Sequence, residues 1–369
     1  MLKRISLATI AACMAVSMAQ AIEIKLGSEL HLRYTAKWNA SDMSNTYNGF
    51  SAERGYISIE PKFSDTVSGR FTMDFAAPSD KAASGELKGT LKFKYAYLSI
   101  ATPLPDSKIE FGWIKHYMGG VYDWNYDFID KQLGDKYKFY KSADAGIVFL
   151  GLLPEGFGEY NVWLVNGEGY EVFGTGIDRI PEAGANIRVI PLPGLTVGLN
   201  CSYTHSSSPR FYNFNDGLER FVYGALLQYK MGPLTLFGEY IGSQFPGAAG
   251  DPSAVTTASA AGPSSSVKIW NAFSVSAFGE LAKIIDGLNV DAGVKYDLIA
   301  KNVNATNANG QEMALTAQVN YNFTPDKTAV VQLAYVADVQ ATSDSMAFAI
   351  RNHTVQLQLK AKFSGTIVK

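Results

Sequence analysis

The part of this sequence with the most obvious capacity for chemistry is the irregular segment from Lys115 to Ser142. Its acids are Asp123, Asp127, Asp130 and Asp135, its lysines include Lys131, Lys136, Lys138 and Lys141, and its aromatic residues include Tyr122, Trp124, Tyr126 and Phe128. So many aromatic rings are unusual in a loop that is surrounded only by water. We expect the rings to pack on the wall of a cavity while the carboxylates narrow it. A surface lid or a subunit contact is the alternative.

A second set of charged side chains precedes this segment and consists of bases alone. These residues, which we call the basic wall, are Arg33, Arg54, Arg70, Lys92 and Lys94. Fixed charges that line confined water decide which ions enter. If the acids of the segment face the basic wall, the two sets of opposite charges would place an electric field across the narrowest point of the cavity. The alternative is a set of solvated charges with no shared role.

Catalysis is not indicated by the remaining polar residues. The four histidines have no nucleophile motif or metal-ligand spacing around them, and no glycine-rich phosphate loop is present. They are His31, His116, His205 and His353. We therefore expect no enzyme activity, no cofactor and no metal site.

The elements that carry these charges have a period of two residues. From Ile22 to Trp38, nearly every even position is apolar or aromatic, and nearly every odd position is polar or charged. A helix cannot sort residues in this way, whereas a strand does, because successive side chains point to opposite faces. The run also exceeds the ~9–11 residues that a tilted membrane-spanning strand needs.

The same alternation recurs along the chain and indicates about 16 strands. One face of the clearest strands carries almost no charge, which suits lipid, and the other face suits water. Short turns rich in Pro, Gly and Asp alternate with longer polar loops. The sequence therefore predicts an all-β fold, a transmembrane antiparallel up-and-down β-barrel of about 16 strands. A large soluble β-sandwich is the alternative.

Three stretches alternate less clearly than the rest. The first half of residues 50–63 is irregular, and we expect a β-bulge there. Residues 143–153 and 159–165 form a weaker pair of strands. Hairpins centred near Met43 and Ala83 would pair Arg33 with Arg54 and Asp74 with Lys92.

The chain begins with the features of an export signal. A basic start at Lys3 and Arg4 is followed by an apolar run and by Ala19-Gln20-Ala21, an A-x-A cleavage pattern. We expect residues 1–21 to be cleaved; a lipoprotein cleavage box ending at Cys13 is the less favoured alternative. The expected barrel spans residues 22–363, and residues 364–369 form a C-terminal tail.

Cleavage would also change the charge and the cysteine count. The whole chain has 32 basic and 34 acidic residues and a net charge of −2. Losing the two leader bases makes it about −4, which argues against nucleic acid as a partner. Only Cys201 would remain, so an internal disulfide is excluded.

Several short motifs resemble those of Gram-negative outer-membrane porins, most closely the phosphate-selective porin family. They are Gly49-Phe50-Ser51-Ala52-Glu53-Arg54, Val67-Ser68-Gly69-Arg70-Phe71-Thr72-Met73-Asp74-Phe75, Lys94-Tyr95-Ala96-Tyr97-Leu98, Ile109-Glu110-Phe111-Gly112 and Val165-Asn166-Gly167-Glu168-Gly169. The resemblance implies a 16-stranded barrel, a homotrimer and a third external loop folded inward as a constriction. The segment Lys115 to Ser142 occupies the place of that loop. Phosphate selectivity goes with an arginine-rich lumen, which this chain lacks, so we carry over the pore function without the substrate.

The expected function is a passive diffusion channel in the bacterial outer membrane. Its partners would be outer-membrane lipid, further copies of the chain in a homotrimer, and ions or small hydrophilic solutes. Asp123, Asp127, Asp130 and Asp135 are the expected constriction, and the basic wall lines the pore. The alternative is a non-conducting barrel that acts as an adhesin or envelope anchor.

Overall fold

The computed structural model describes residues 23–75, 92–120, 127–167, 169–170, 181–205, 219–245, 268–300, 311–341 and 348–368. The expected leader, Asp123 and the centre of the second hairpin lie outside the described residues. Among the described residues, no helix is long and apolar enough to cross a membrane.

Sixteen strands form one closed antiparallel barrel in which each strand pairs with its neighbours in the chain and β1 pairs with β16. The strands are β1 (Glu23–Asn39), β2 (Asn45–Lys62), β3 (Val67–Asp74), β4 (Lys92–Ala101), β5 (Ser107–Lys115), β6 (Ala143–Leu153), β7 (Gly158–Val165), β8 (Glu182–Leu192), β9 (Leu195–His205), β10 (Glu219–Met231), β11 (Leu234–Phe245), β12 (Lys268–Glu280), β13 (Val290–Ala300), β14 (Gln311–Asn322), β15 (Ala329–Ala341) and β16 (Phe348–Val368). The one described α-helix, α1 (Leu133–Lys136), follows β5, and 3₁₀ turns span Pro154–Gly156 and Leu281–Lys283. The predicted 16-stranded barrel is confirmed.

The period of two sorts side chains between the outside and the inside of this barrel. On β1, Leu30 and Leu32 are 42% and 43% exposed, whereas His31 between them is 1% exposed. Large apolar side chains are likewise exposed on the outer faces of the other strands, as at Phe111, Leu199, Leu315 and Leu357. An apolar outer face with no free strand edge is the arrangement that lipid requires.

Two of the β-bulges in the strands that carry the basic wall lie beside its members. The first lies in β2, where Glu53 is the extra residue between the partners of His31 and Leu32. The bulge expected in this stretch is therefore confirmed. The expected pairing of Arg33 with Arg54 is wrong, because the turn between β1 and β2 is centred between Ser41 and Asp42 rather than near Met43, so that Arg33 lies opposite Ser51 and Arg54 lies opposite His31.

The second bulge lies in β4, where Lys94 is the extra residue between the partners of Thr72 and Met73. Beyond it, Asp74 lies opposite Lys92, and this predicted pairing is confirmed. Each bulge gives its strand one residue more than the partner strand has, which re-aims the neighbouring side chains.

The weak alternation of β6 and β7 has a structural cause. Their inward-facing side chains include Val148, Trp163 and Val165, which are 0%, 3% and 2% exposed. Both faces of these strands are therefore apolar, one towards lipid and the other towards the segment that follows β5.

The C-terminal boundary differs from the expectation of a separate tail at residues 364–369. Strand β16 continues past Phe363, and Ser364 to Val368 pair with Gly27 to Glu23 of β1. The alternation persists there, with Ile367 54% exposed on the outer face. Because β1 begins at Glu23, it supplies backbone partners for these residues, and they are part of the barrel seam.

Removing residues 364–369 should destabilise the barrel without preventing its closure. Five residue pairs with β1 would be lost, worth about 2–4 kcal/mol in total at less than ~1 kcal/mol per cross-strand pair. We expect a lower urea midpoint for unfolding in detergent micelles. Removal of Lys369 alone is the control, since all described pairs remain; equal midpoints for both truncations would show that the seam contributes nothing.

Candidate functional site

We call the residues from His116 to Ser142 the inner segment, and its described residues lie inside the barrel. Residues 116–120 and 127–142 of this segment are described. They contact inward-facing side chains of β5, β8, β10, β11 and β13 to β15 and, at the far side, of β1. The described part of the inner segment therefore follows about half of the barrel wall. The part of it around Ile129 lies beside β1, which carries Arg33 of the basic wall.

An apolar cluster holds the base of the inner segment. Five of its side chains, Tyr117, Met118, Leu133, Phe139 and Tyr140, are at most 3% exposed. They pack with inward-facing residues of the wall, among them Val148, Trp163, Val222, Ile241, Trp270 and Ile299. Burying a large apolar side chain contributes about 1.5–3 kcal/mol, so this cluster alone favours the docked position.

Glu239 of β11 fixes the orientation of α1. Its carboxylate accepts hydrogen bonds from the backbone N–H of Gly120 at 2.6 Å, from the side-chain amide of Gln132 and from the Tyr140 hydroxyl at 3.4 Å. Gln132 in turn caps α1, because its Oε1 accepts from the backbone N–H of Gly134 at 2.9 Å. A side chain of the wall thus positions the helix that carries Asp135.

The far end of the inner segment is bound by amide side chains. The carbonyl oxygen of Asp127 accepts from Gln318 at 2.5 Å, from Asn320 at 3.0 Å and from Gln332 at 3.2 Å. The carbonyl oxygen of Ile129 accepts from Arg33 at 3.3 Å. These bonds satisfy backbone groups that the barrel interior would otherwise leave without partners.

A buried ion network lies between these two attachments and consists of Asp130, Lys136, Lys295 and Asp297. The Nζ atom of Lys295, a residue only 2% exposed, is 2.9 Å from Asp130 and 2.8 Å from Asp297. Lys136 is 2.7 Å from Asp130 and 2.9 Å from Asp297. Burial by itself would raise the pKa of Asp130, but Lys295 and Lys136 outweigh burial and hold this pKa well below its ordinary value.

Asp135 has different surroundings from Asp130. Four cationic side chains act on its carboxylate, namely Lys131, Lys138, Arg54 and Lys94. Burial would raise the pKa of Asp135, but these cations hold it below its ordinary value. Lys138 is 3.6 Å away, and Lys131 and Lys138 are both exposed. Asp135 therefore lies among cations. We call the water-accessible space beside Lys131, Asp135 and Lys138 the passage.

The basic wall is not one uniform row of charges. Arg33 is 3.4 Å from Glu53 and donates to Gln358 at 2.7 Å. Arg70 is 3.4 Å from Glu60, and Lys92 lies opposite Asp74. The remaining two members come together, because Arg54 and Lys94 both donate to the hydroxyl oxygen of Tyr56.

Cavities open above and below the inner segment. At the end of the barrel with the short turns, a cavity of about 520 Å³ is lined by charged residues that include Lys25, Glu60 and Arg70. At the opposite end, a cavity of about 570 Å³ is lined by residues that include Lys136, Tyr137 and Arg351. No group of three or more His, Cys, Asp or Glu that could hold a metal occurs in the described part of the chain.

Sequence reasoning did not find the wall residues that bind the inner segment. Lys295 and Asp297 are inward-facing by their parity on β13, and Glu239 by its parity on β11. That signal was available, but their partners lie more than 100 residues away in the chain. Tyr56 shares the inward parity of Arg54 on β2, but its role beside Arg54 and Lys94 depends on the bulges.

Known structures provide the comparison for this architecture, since no family model and no curated protein matches the sequence. OmpF of Salmonella typhi, solved with daunomycin, has a TM-score of 0.64 at 12% identity over 94% of this chain and 99% of that chain. The outer-membrane channel DcaP of Acinetobacter baumannii has a TM-score of 0.61 at 16% identity over 92% and 97%. An anion-selective porin of Comamonas acidovorans has a TM-score of 0.59 at 10% identity over 92% and 99%.

The chain has the porin fold. Its barrel matches outer-membrane porins and channels of Gram-negative bacteria over nearly the full length of each chain. Within this porin fold, the ion network and the apolar cluster are features read from this chain's own residues.

Lys295→Met should release the inner segment at the ion network. The substitution keeps the length of the side chain but leaves Asp130 and Asp297 with Lys136 alone. Breaking a buried ion pair costs about 3–5 kcal/mol, so we expect the single-channel conductance in a planar bilayer to rise. Lys283→Met, at a side chain 58% exposed in a short turn, should leave the conductance unchanged. Equal conductance of Lys295→Met and the unmodified chain would contradict this role of the network.

Proposed function

We propose that this protein is a passive diffusion channel of the bacterial outer membrane whose constriction prefers anions. The observation that carries the proposal is the excess of cations beside Asp135. Cavities at the two ends of the barrel, each lined by charged residues, support conduction through the passage. No chemical step is needed for such a function, in keeping with the expectation that the protein is not an enzyme.

The charge balance of the passage supports the anion preference. Its cations are Arg33, Arg54, Lys94, Lys131 and Lys138, and the acids beside them are Glu53 and Asp135. Arg33 lies 3.4 Å from Glu53, and Lys138 lies 3.6 Å from Asp135. Since salt screens charges only over ~8–10 Å, an ion entering the passage responds to the sum of the charges near it. That sum is positive.

The acids of the inner segment contribute less to the passage than the sequence pattern suggests. Asp130 shares its charge with Lys136 and Lys295 in the ion network. Asp127 is attached to the wall through its backbone carbonyl group. Four passage cations act on Asp135, whereas Asp130 acts on Arg33. The roles of Asp123, Asp127, Asp130 and Asp135 as a constriction remain a prediction.

Three further expectations belong to this proposal. The homotrimer and the preferred solute stay predictions, as does the narrower kinship with phosphate-selective porins. A non-conducting barrel that serves as an adhesin or anchor is the second candidate, since a barrel wall by itself would suit either role. Electrical measurements on the full-length protein separate these functions.

A reversal potential in a salt gradient tests the anion preference. We expect the purified protein, reconstituted in a planar bilayer with tenfold different KCl concentrations, to give the sign that corresponds to faster chloride passage. The opposite sign would refute the anion preference. Protein that inserts but never conducts would favour the adhesin or anchor.

Asp135→Asn should strengthen the anion preference because it removes an acid of the described inner segment on which four passage cations act. A charge ~6 Å from the ion path contributes about 0.7 kcal/mol in water for each ion, with opposite signs for chloride and potassium, so the chloride-to-potassium permeability ratio should rise about tenfold. Asp42→Asn, at an exposed turn residue, is the matched control. A ratio that stays constant or falls in Asp135→Asn would show that Asp135 does not face the ion path.

A further inference from the structure

Another cavity lies at the end of the barrel with the short turns, between the turn that joins β4 to β5 and the start of the inner segment. Its volume is about 740 Å³, which is within the size range of small-molecule sites in proteins. The inward-facing side chains that line it include Tyr97, Lys108, Glu110, Tyr117, Glu159 and Asn161. None of the passage cations lines this cavity, which we call the side pocket.

Solutes can reach the side pocket from the barrel interior. Tyr97, Lys108 and Glu110 also line the charged cavity of about 520 Å³ at the same end of the barrel. The two cavities are therefore neighbours, and a solute in the larger space below the inner segment meets the side pocket without crossing the wall.

Two polar side chains of the side pocket have unused hydrogen-bonding capacity. Asn161 is 1% exposed, and its side-chain oxygen has no hydrogen-bond partner among the described residues. The hydroxyl group of Tyr97 likewise has no partner in the described part of the chain, whereas that of Tyr117 donates to Glu110. Buried polar groups are normally hydrogen-bonded, so an unpartnered amide beside a cavity indicates that a ligand or water completes it. Rotation of the amide lets Asn161 either accept or donate.

The charges of the side pocket balance, unlike those of the passage. Lys108 is 2.9 Å from Glu110, and Arg188 is 3.6 Å from Glu159. One further lysine and one further aspartate line the side pocket and have opposite charges. The side pocket therefore has no net charge with which to favour an anion or a cation.

Apolar surface accompanies these polar groups. Tyr97 and Tyr117 are both buried and line the side pocket together with Leu150. A tyrosine presents an apolar ring and a polar tip. The complement of such a site is an uncharged solute with C–H faces and several hydroxyl groups, because a hydroxyl both donates and accepts, as the amide of Asn161 does. Simple inorganic ions have no C–H face.

We propose that the side pocket binds neutral polyhydroxylated solutes, such as monosaccharides and disaccharides, with Asn161 and Tyr97 as the hydrogen-bonding partners of their hydroxyl groups. The proposal goes beyond the anion channel, since it assigns a second site and a class of solute without charge. Binding in the side pocket does not depend on the sign of the charge in the passage.

Direct binding of glucose and maltose tests the proposal. Saturation-transfer NMR on the full-length protein, in micelles of a detergent without a sugar head group, gives the Kd of each sugar by titration. We expect saturable binding of both sugars and none of a polyethylene glycol of the same size, because ether oxygens accept hydrogen bonds but do not donate them. Equal signals from the sugars and the polymer, or tighter binding of glucuronate than of glucose, would overturn the proposal.

Asn161→Leu tests the residue on which the site depends. It replaces the amide by an apolar group of similar size, so the Kd of glucose should rise about fivefold, as for the loss of a neutral hydrogen bond. Tyr97→Phe, which removes only a hydroxyl group, should raise the Kd about threefold. Asn186→Leu is the matched control, because Asn186 lies opposite Asn161 on β8 and is 2% exposed but does not line the side pocket. Equal Kd values for Asn161→Leu and Asn186→Leu would refute the assignment.

The side pocket and the anion channel can fail separately. If the unmodified protein gives the reversal potential of faster chloride passage in KCl but binds neither sugar, the anion channel stands and the side pocket is refuted. If it binds both sugars but never conducts, the side pocket stands and the channel is refuted. Asn161→Leu should leave the KCl reversal potential unchanged, since Asn161 is not among the passage residues.

Discussion

The buried network of Asp130, Lys136, Lys295 and Asp297 is the interaction on which the geometry of the passage depends. It connects the inner segment to β13. Charges enclosed in this way are tolerated only when each has partners in good geometry. The network meets this condition, because each of its two lysines contacts both of its two carboxylates. The carboxylates of Asp130 and Asp297 are held in these ion pairs. The exposed amines of Lys131 and Lys138 remain in the water-accessible space.

The apolar cluster under the base of the inner segment makes a different contribution. It is strong and non-directional, whereas the ion network and the amide contacts at Asp127 determine where the far end lies. The barrel wall is therefore apolar inside as well as outside over β6 and β7. A polar lumen lined by strands alone would not need this, and Trp163 and Val148 have an inward role only because the inner segment covers them.

The bulges at Glu53 and Lys94 illustrate how small backbone irregularities shape the charge pattern. Without the bulge, the register of Leu32 with Ala52 would continue and place Glu53, not Arg54, opposite His31. With it, Arg33 pairs with Glu53 while Arg54 joins Lys94 at Tyr56. Bulges of this kind re-aim side chains at the point where they occur. Arg33, Arg70 and Lys92 of the basic wall therefore lie beside acids, whereas Arg54 and Lys94 converge on Tyr56.

The sequence by itself determined the features that depend on local alternation. The 16 strands, the inward parity of Arg54, Lys94 and Lys295, and the pairing of Asp74 with Lys92 all follow from a period of two and from hairpin length. The bulge in β2 was expected in general position, but the centre of the hairpin between β1 and β2, which places Arg33 opposite Ser51, was not. Only the tertiary structure decided which charges meet, since Lys295 and Asp130 are 165 residues apart and Gln132 and Glu239 are 107 apart. Such contacts depend on barrel closure, on the summed register of many strands and on the path of the inner segment. None of these is a property of the neighbouring residues in the chain.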